Sequence, residues 1–329
     1  MDRILIVKLS SLGDIVHAFP VLNELKHHFP NCAIDWAVSS PFQKLVAAHS
    51  LVRKAIPISP NISSITSLRE NSYDLLFDLQ GNCKSGLVTV LAKAKEKVGF
   101  SFSTAREWPN ILATNRRFQV SRNQNIRYFY LDLVRKYLNK KNINSIAPVV
   151  FKINESEKNE VDCLLKTPIL QSKRKILVCP GSKWPNKKLS FEVLSEFLKK
   201  IGEPLPSSFL YAWGTPEEKI ECEALQALFP DRSIVIEKMD FSKLQYLMSQ
   251  VDLFIGVDSI ALHLCGTTTT PTISFFGPTK KEVFQPIGSQ HVAIQGTCPY
   301  GITFEKQCPY LRTCKTGACI RSVLNEELS

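Results

Sequence analysis

Three turns in the sequence collect residue types that handle protons and phosphate. Lys8-Leu9-Ser10-Ser11-Leu12-Gly13-Asp14 follows the apolar run Ile4-Leu5-Ile6-Val7. Asp258-Ser259-Ile260-Ala261-Leu262-His263 follows Leu253-Phe254-Ile255-Gly256-Val257. A strand that breaks at Ser or Gly and passes into a helix leaves backbone N–H groups unpaired at a positive helix end. Asp14 in such a turn either accepts a proton from an incoming hydroxyl or caps the helix. Lys8, Ser10 and Ser11 crowd a cation and donors around the same turn. The third turn, Gly181-Ser182-Lys183-Trp184-Pro185-Asn186-Lys187-Lys188, sets three lysines after a strand. Such a loop holds a diphosphate or is simply solvated. At Asp258-Ser259 a phosphate meets helix N–H groups and the Ser259 hydroxyl, whereas His263 is a packed residue or a base. Glu217 and Glu218, after Trp213-Gly214-Thr215-Pro216, complement a helix dipole or bind a sugar hydroxyl. Neither a Walker loop nor a G-x-G-x-x-G run is present, which counts against a P-loop NTPase and a nicotinamide dehydrogenase.

These turns need strands and helices to position them, and both halves of the chain supply them in alternation. In the first half, strands are predicted at Arg3–Leu9, Ala33–Val38, Ala55–Ile58, Tyr73–Leu79 and Lys97–Phe100. Helices are predicted at Ile15–Phe29, from after Asn82 to about Ala94, and at Asn123–Leu138. Pro20 is tolerable in the first turns of its helix. The polar stretch Asn139–Ser145, followed by Pro148, reads as a linker. The second half restarts with strands at Lys175–Cys179, Phe209–Trp213, Ser233–Ile236, Leu253–Val257 and Thr272–Phe276. Its helices are Ser190–Ile201, opened by Ser190 as N-cap, Ser242–Gln250 and Ser259–Cys265, with Pro216 suited to a first helical position. The pattern predicts an α/β protein of two Rossmann-like domains facing across a cleft, 1–148 and 149–329. Phosphate-type turns then lie at carboxyl ends of strands, where such sheets bind ligands.

Bulk composition agrees with a soluble globular chain. Of 329 residues, 44% are hydrophobic and 22% charged, enough to bury real cores. Lys and Arg number 41 against 30 Asp and Glu, a net charge of +11 that points to an anionic partner. No signal peptide is evident. The longest stretch without charge, Ser259–Thr279, contains Pro271 and Pro278 and reads as helix, turn and strand. A cytoplasmic protein is expected. Ten cysteines do not form a disulfide scaffold in such a chain. Four crowd the tail, Cys298, Cys308, Cys314 and Cys319, with spacings wider than structural zinc pairs. Reduced thiols packing a loop-rich tail are expected, with no metal.

The run Val7, Lys8, Ser10, Ser11, Gly13, Asp14 and His17, with Pro20 beyond it, resembles the opening of the glycosyltransferase family 9 heptosyltransferases. The similarity continues in order through Tyr73-Asp74, Asp78-Leu79-Gln80-Gly81, Thr104-Ala105-Arg106-Glu107, Pro180-Gly181-Ser182 and Trp213–Glu218. It runs on through Lys238-Met239, Gly256–Ser259 and Phe276-Gly277-Pro278-Thr279. The resemblance implies a GT-B fold and inverting transfer of heptose from ADP-L-glycero-D-manno-heptose to the Kdo–lipid A inner core of lipopolysaccharide. The opening and the T-A-R-E segment look most like the heptosyltransferase I branch. By resemblance Asp14 is the general base, and Lys187 serves catalysis while holding the diphosphate. Ser182, Lys183, Trp213, Glu217, Met239, Asp258, Ser259 and His263 then belong to the donor site, with Met239 against adenine. Lys8, Ser10, Ser11 and Arg106 face the acceptor.

The chain departs from the family pattern where Ile260 replaces Gly and where Leu189-Ser190 replaces Trp-Pro. Its tail cysteines look more like the second and third heptosyltransferases. The implied partners are a nucleotide-sugar donor, itself a substrate so that no cofactor is needed, and a lipid A/Kdo acceptor at the inner leaflet. No nucleic acid is implied. The protein would sit in the cytoplasm, peripheral to the cytoplasmic face of the inner membrane. The alternatives are a same-fold glycosyltransferase or nucleotide-sugar epimerase using another donor and, more distantly, a non-enzymatic protein binding RNA or an anionic surface.

Overall fold

The computed structural model describes residues 1–59, 67–140, 146–172, 174–321 and 323. The chain divides into two compact units, Met1–Lys152 and Ile153–Ser329. The linker reading at 141–145 lies outside the described residues. The boundary falls at Lys152/Ile153, beyond the expected 148/149, because Lys152 still belongs to the first unit. Its N–H donates to the Ala48 carbonyl at 2.7 Å, and Phe151 bridges His49.

In the first unit, β1 (Arg3–Val7), β2 (Ala33–Ser39), β3 (Val52–Ile58), β4 (Ser72–Asp78), β5 (Lys93–Phe100) and β6 (Arg116–Phe118) form one parallel sheet of order β3-β2-β1-β4-β5-β6. β1 is central, and Ile4, Leu5, Ile6 and Val7 are fully buried. That is why its sequence is continuously apolar rather than alternating. In the second unit, β7 (Arg174–Cys179), β8 (Ser207–Tyr211), β9 (Ser233–Val235), β10 (Leu253–Val257), β11 (Thr272–Phe276) and β12 (His291–Gln295) form a second parallel sheet of order β9-β8-β7-β10-β11-β12. Counted within each unit, both orders are 3-2-1-4-5-6, the doubly wound arrangement. The strand order reverses between β1 and β4 in one sheet and between β7 and β10 in the other. Loops leaving those strands diverge to opposite faces and open a crevice.

Several elements differ from the sequence reading. Ile15–Phe29 is not one helix but two, Leu12–Ala18 and Pro20–His28. Pro20 has no N–H to continue the first helix, so it opens the second at its first position. The helix after Asn82 ends at Leu91, and β5 begins at Lys93 rather than Lys97. The early part of β5, Lys-Ala-Lys-Glu, alternates exposed and half-buried residues, so it lacks the apolar run that marks its neighbours. The helix read as Asn123–Leu138 starts at Ile126, with Asn125 capping the Arg127 N–H at 3.1 Å. Ser190 caps Phe191–Gly202 through the Val193 N–H, and Pro216 opens Pro216–Gln226, as read. No described helix is long and apolar enough to cross a membrane.

Candidate active site

In the first unit the loops after β1 and β4 are tied together. The Lys8 ammonium is buried, 2% exposed, and donates to Gln80 Oε1 at 3.1 Å. The same oxygen accepts the Ser10 N–H at 3.3 Å. Gln80 is itself set by Asp78, the last residue of β4, whose Oδ1 accepts the Gln80 and Gly81 N–H groups at 2.9 and 3.0 Å. Asp78 Oδ2 takes Thr89 Oγ1 at 3.2 Å and Asn110 Nδ2 at 2.7 Å. A buried carboxylate satisfied on both oxygens fixes the loop that follows it. Gly81 has φ of 70°, a left-handed conformation glycine adopts without penalty, and its carbonyl accepts the Arg106 and Glu107 N–H groups at 3.0 Å each. Arg106, read from sequence as an acceptor contact, is thereby held at the rim of β4 with its side chain exposed.

Asp14 is the third residue of the helix Leu12–Ala18, not its cap. Ser11 is the N-cap, and Asp14 Oδ2 accepts the Ser11 N–H at 3.3 Å and the Ser11 hydroxyl at 3.1 Å. The Ser10–Ser11 peptide bond is cis. Asp14 therefore takes the capping part and still keeps a half-buried carboxylate at the turn. Tyr130, from the helix Ile126–Tyr137, completes this group and was not singled out in sequence. Its ring lies 5.1 Å from the Lys8 ammonium. Burial pushes its hydroxyl well up, the Asp14 charge adds to that, and Arg106 opposes it, so both charges bear on one phenol. Its place on an amphipathic helix gave it the signature of an ordinary core residue.

In the second unit the loop after β7 meets the end of β10. Lys187 Nζ lies 2.5 Å from Asp258 Oδ2. Asp258 is 4% exposed and is anchored twice more, by Thr279 Oγ1 at 2.6 Å and by His263 Nε2 at 3.1 Å. Burial alone would raise the Asp258 carboxyl, but the Lys187 ammonium and His263 outweigh it and hold it well below the usual carboxylate range. His263 thus backs Asp258, and Asp258 orients Lys187. Thr279, quoted in the sequence only as part of a longer run, is the additional anchor. Ser259 is the N-cap residue of the helix Ile260–Cys265, and its buried Oγ has no hydrogen-bond partner among the described residues. That helix has only six residues, so its contribution to anion binding rests on nearby N–H groups rather than on a long dipole. Of the other lysines in the loop, Lys188 pairs with Glu221, while Lys183 is exposed beside half-buried Ser182.

A second cluster surrounds the end of β8. Trp213 donates its indole N–H to the Ile236 carbonyl at 2.9 Å, with Lys219 and Lys238 ammoniums 5.3 and 5.6 Å from its ring. Lys238 Nζ also donates to the Gly214 carbonyl at 3.0 Å, and neighbouring Met239 is half-buried. Of the two glutamates, Glu217 is exposed. Its carboxyl is lowered by a hydrogen bond from Thr215, the residue capping its own helix. Glu218 is the one that reaches inward. Its Oε2 accepts the Gly214 N–H at 2.7 Å, and a Cβ at Gly181 would fall 2.2 Å from its carboxyl carbon. A side chain at Gly181 would displace the Glu218 carboxylate from that position. One residue of register on a helix decides which glutamate points at the loop, and sequence spacing did not separate the two.

The cysteine tail braces this site. Cys308 N–H donates to the Pro278 carbonyl at 2.7 Å, and Gln307 pairs with Thr279. Asn186, next to Lys187, donates to the Leu311 carbonyl at 2.8 Å, and Gly317, with φ of 56°, packs on its Cα. Cys298, Cys308, Cys314 and Cys319 line one small cavity of about 20 Å³, and all ten cysteines are free.

Residues 62–313 match the family model described as glycosyltransferase family 9 (heptosyltransferase). The chain is 28% identical to lipopolysaccharide heptosyltransferase 1 of Campylobacter coli, covering 84% of each chain. It is 26% identical to the Salmonella typhimurium protein of the same name, covering 88% of this chain and 93% of that one. Among solved structures it is similar to Escherichia coli heptosyltransferase WaaC with ADP, with a TM-score of 0.74 and 22% identity, covering 88% of this chain and 92% of that one. It is also similar to E. coli ADP-heptose lipopolysaccharide heptosyltransferase II, with a TM-score of 0.72 and 18% identity, covering 98% and 97%. At these identities the structural likeness speaks for the fold.

Proposed function

The chain belongs to glycosyltransferase family 9, and from that premise we propose that it transfers L-glycero-D-manno-heptose from its ADP donor to the Kdo–lipid A inner core of lipopolysaccharide. The observation that carries the reading is the division of chemistry between the two switch points. One holds a carboxylate among acceptor-type donors, Asp14 with Lys8 and Ser10, and the other an anchored cation, Lys187 on Asp258. The relatives named above favour the first heptose position of the core.

In this reading Asp14 takes the acceptor hydroxyl proton as that oxygen bonds to the anomeric carbon and the bond to the diphosphate breaks, with inversion. Negative charge grows on the departing ADP. Lys187, oriented by Asp258, and the otherwise unpaired Ser259 hydroxyl stabilise it where it develops. Ser182 and Lys183 add donors on the same loop. Trp213, Met239 and Glu218, in place of Glu217, hold the nucleoside side. Ser10, Ser11 and Arg106 receive the anionic acceptor, whose lipid anchor lies in the inner leaflet, while buried Lys8, expected from sequence to face it, positions their loop through Gln80. No cofactor is needed, since the donor is itself a substrate, and no D-x-D pair adjoins the donor motifs to call for a metal. The test is mass spectrometry of purified protein with ADP-heptose and Kdo–lipid A. A gain of one heptose, absent with UDP- and GDP-sugars, is expected. Release of free sugar or an epimer without acceptor overturns the reading in favour of an epimerase.

A further inference from the structure

One surface of the first unit carries large apolar side chains that the fold leaves in water. Leu87 and Val90, on the helix Cys83–Leu91, are 54% and 57% exposed, and Trp108 and Leu112, on the 3-10 helix Trp108–Ala113, are 61% and 74% exposed. The two elements pack together: Gly86 meets Asn110 and Ala113, Asn110 Nδ2 donates to the Asn82 carbonyl at 3.0 Å, and the Cys83 N–H donates to Glu107 at 2.8 Å. At 3.6 residues per turn, Val90 and Leu87 lie about 40° and about 100° round the helix from Gly86, on one side of that contact. Scattered exposed apolar residues are ordinary, but here four large ones sit on two elements packed against each other.

The charge around the patch selects its occupant. Lys84 and Arg106, in the same two segments, are exposed. The whole net charge of the chain also resides in this unit, with 21 Lys and Arg against 10 Asp and Glu in residues 1–152 and 20 against 20 from residue 153 on. A second copy docking through the same face would bring up a like-charged unit. An anionic lipid surface would not, and an exposed Trp beside basic residues is suited to the boundary between headgroups and acyl chains. Arg106 also ties the patch to the candidate acceptor loop, through its N–H bond to Gly81.

We propose that this surface docks the protein on an anionic bilayer, with Leu87, Val90, Trp108 and Leu112 entering the interface and Lys84 and Arg106 pairing with lipid phosphates. The proposal rests on the lipid-anchored acceptor of the preceding reading, but docking is measured without turnover. Full-length protein is sedimented with phosphatidylcholine vesicles with or without phosphatidylglycerol. Binding only to the anionic vesicles, reversed by salt, is expected. Leu87→Ser/Leu112→Ser and, separately, Lys84→Glu should each reduce the bound fraction about tenfold. Both variants should still turn over a deacylated, water-soluble Kdo acceptor at the parental rate. Unchanged sedimentation of both folded variants, or no binding by the parent, overturns the proposal. So does a concentration-dependent dimer that the serine variant abolishes, which would assign the patch to self-association. Vesicle binding without turnover of the soluble acceptor would sustain the docking surface and fail the functional reading alone.

Discussion

Asp14 takes part in helix capping, and in the proposed reading it also accepts the acceptor's proton; a single substitution separates the two roles. Asp14→Asn keeps an oxygen for the Ser11 N–H, so the melting temperature should stay near that of the parent. Turnover should fall by ~10²-fold or more, the usual loss for a positioned base. Steady-state kinetics on folded protein checks this, and near-normal turnover would remove Asp14 from the base role.

Lys187→Ala leaves Asp258 buried without its cation, and stability should drop by about 3 kcal/mol. ADP affinity and transfer rate should fall together, read by calorimetry and kinetics, because in the proposed reading the charge faces the diphosphate in both ground and transition states. Unchanged affinity and rate would make Lys187 a purely structural partner of Asp258. The Asp258 carboxyl is depressed, so the pair's stabilisation is complete above the ordinary carboxylate range near pH 4 and is lost only below it.

His49 behaves in the opposite way. It is packed against Phe19 and Phe151, and burial, with Lys152 nearby, lowers its imidazole from 6.5 to about 3. The neutral ring is the folded form. Its contribution is therefore fully present above about pH 6.5 and is lost as pH falls from there towards about 3. His49→Asn should flatten the loss of unfolding free energy between pH 6.5 and 4 in urea titrations, relative to the parent. An unaltered slope would mean that other groups set it.

At the scale of elements, the tail is a brace. It pairs with the Pro278–Lys280 segment on one side and with Asn186 on the other, the immediate neighbours of Thr279 and Lys187. Its thiols differ among themselves. Burial pushes Cys319 up to about 11, whereas hydrogen bonds from the Gly317 and Thr316 segment lower Cys314, which is half-buried. Alkylation at neutral pH should modify Cys314 first among the four tail thiols, and peptide mapping checks the order. The same samples, purified without chelator, should contain no stoichiometric zinc. About one equivalent, lost with stability on chelation, would make the tail a metal-stapled subdomain instead.

At the scale of the molecule, two units of the same strand order differ sharply in charge. In the proposed reading the acceptor residues lie in the unit that carries the +11 surplus, and the donor residues in the unit that is formally neutral. Long-range attraction is screened over about 10 Å at 0.1 M salt. The KM for a lipid-phosphate acceptor should therefore rise several-fold as salt increases from about 0.05 to about 0.5 M, while that for the donor, bound by close contacts, changes less. Initial-rate kinetics at varied salt checks this, and equal dependence for both substrates would deny the charge asymmetry a role in binding.

The amino-acid sequence by itself determined two α/β halves, the central strands and the turns after β1, β7 and β10, because buried parallel strands and their Gly- and Ser-rich exits leave a local signature. Ser190 and Pro216 were legible for the same reason, since capping is a contact between near neighbours in the chain. The break at Phe19 was within reach through Pro20. The polar first half of β5 and the short strand Arg116–Phe118 were not, because their pairing is supplied by neighbours distant in sequence. Tertiary structure alone decided that Asp258 orients Lys187, that Glu218 rather than Glu217 lies on Gly181, that Tyr130 joins Asp14, and that a cysteine tail supports the loop at Asn186. Each of these joins residues dozens of positions apart, or depends on the rotation of one helix. Periodicity and residue type name the groups able to do chemistry, but only the packed chain brings them within hydrogen-bonding distance.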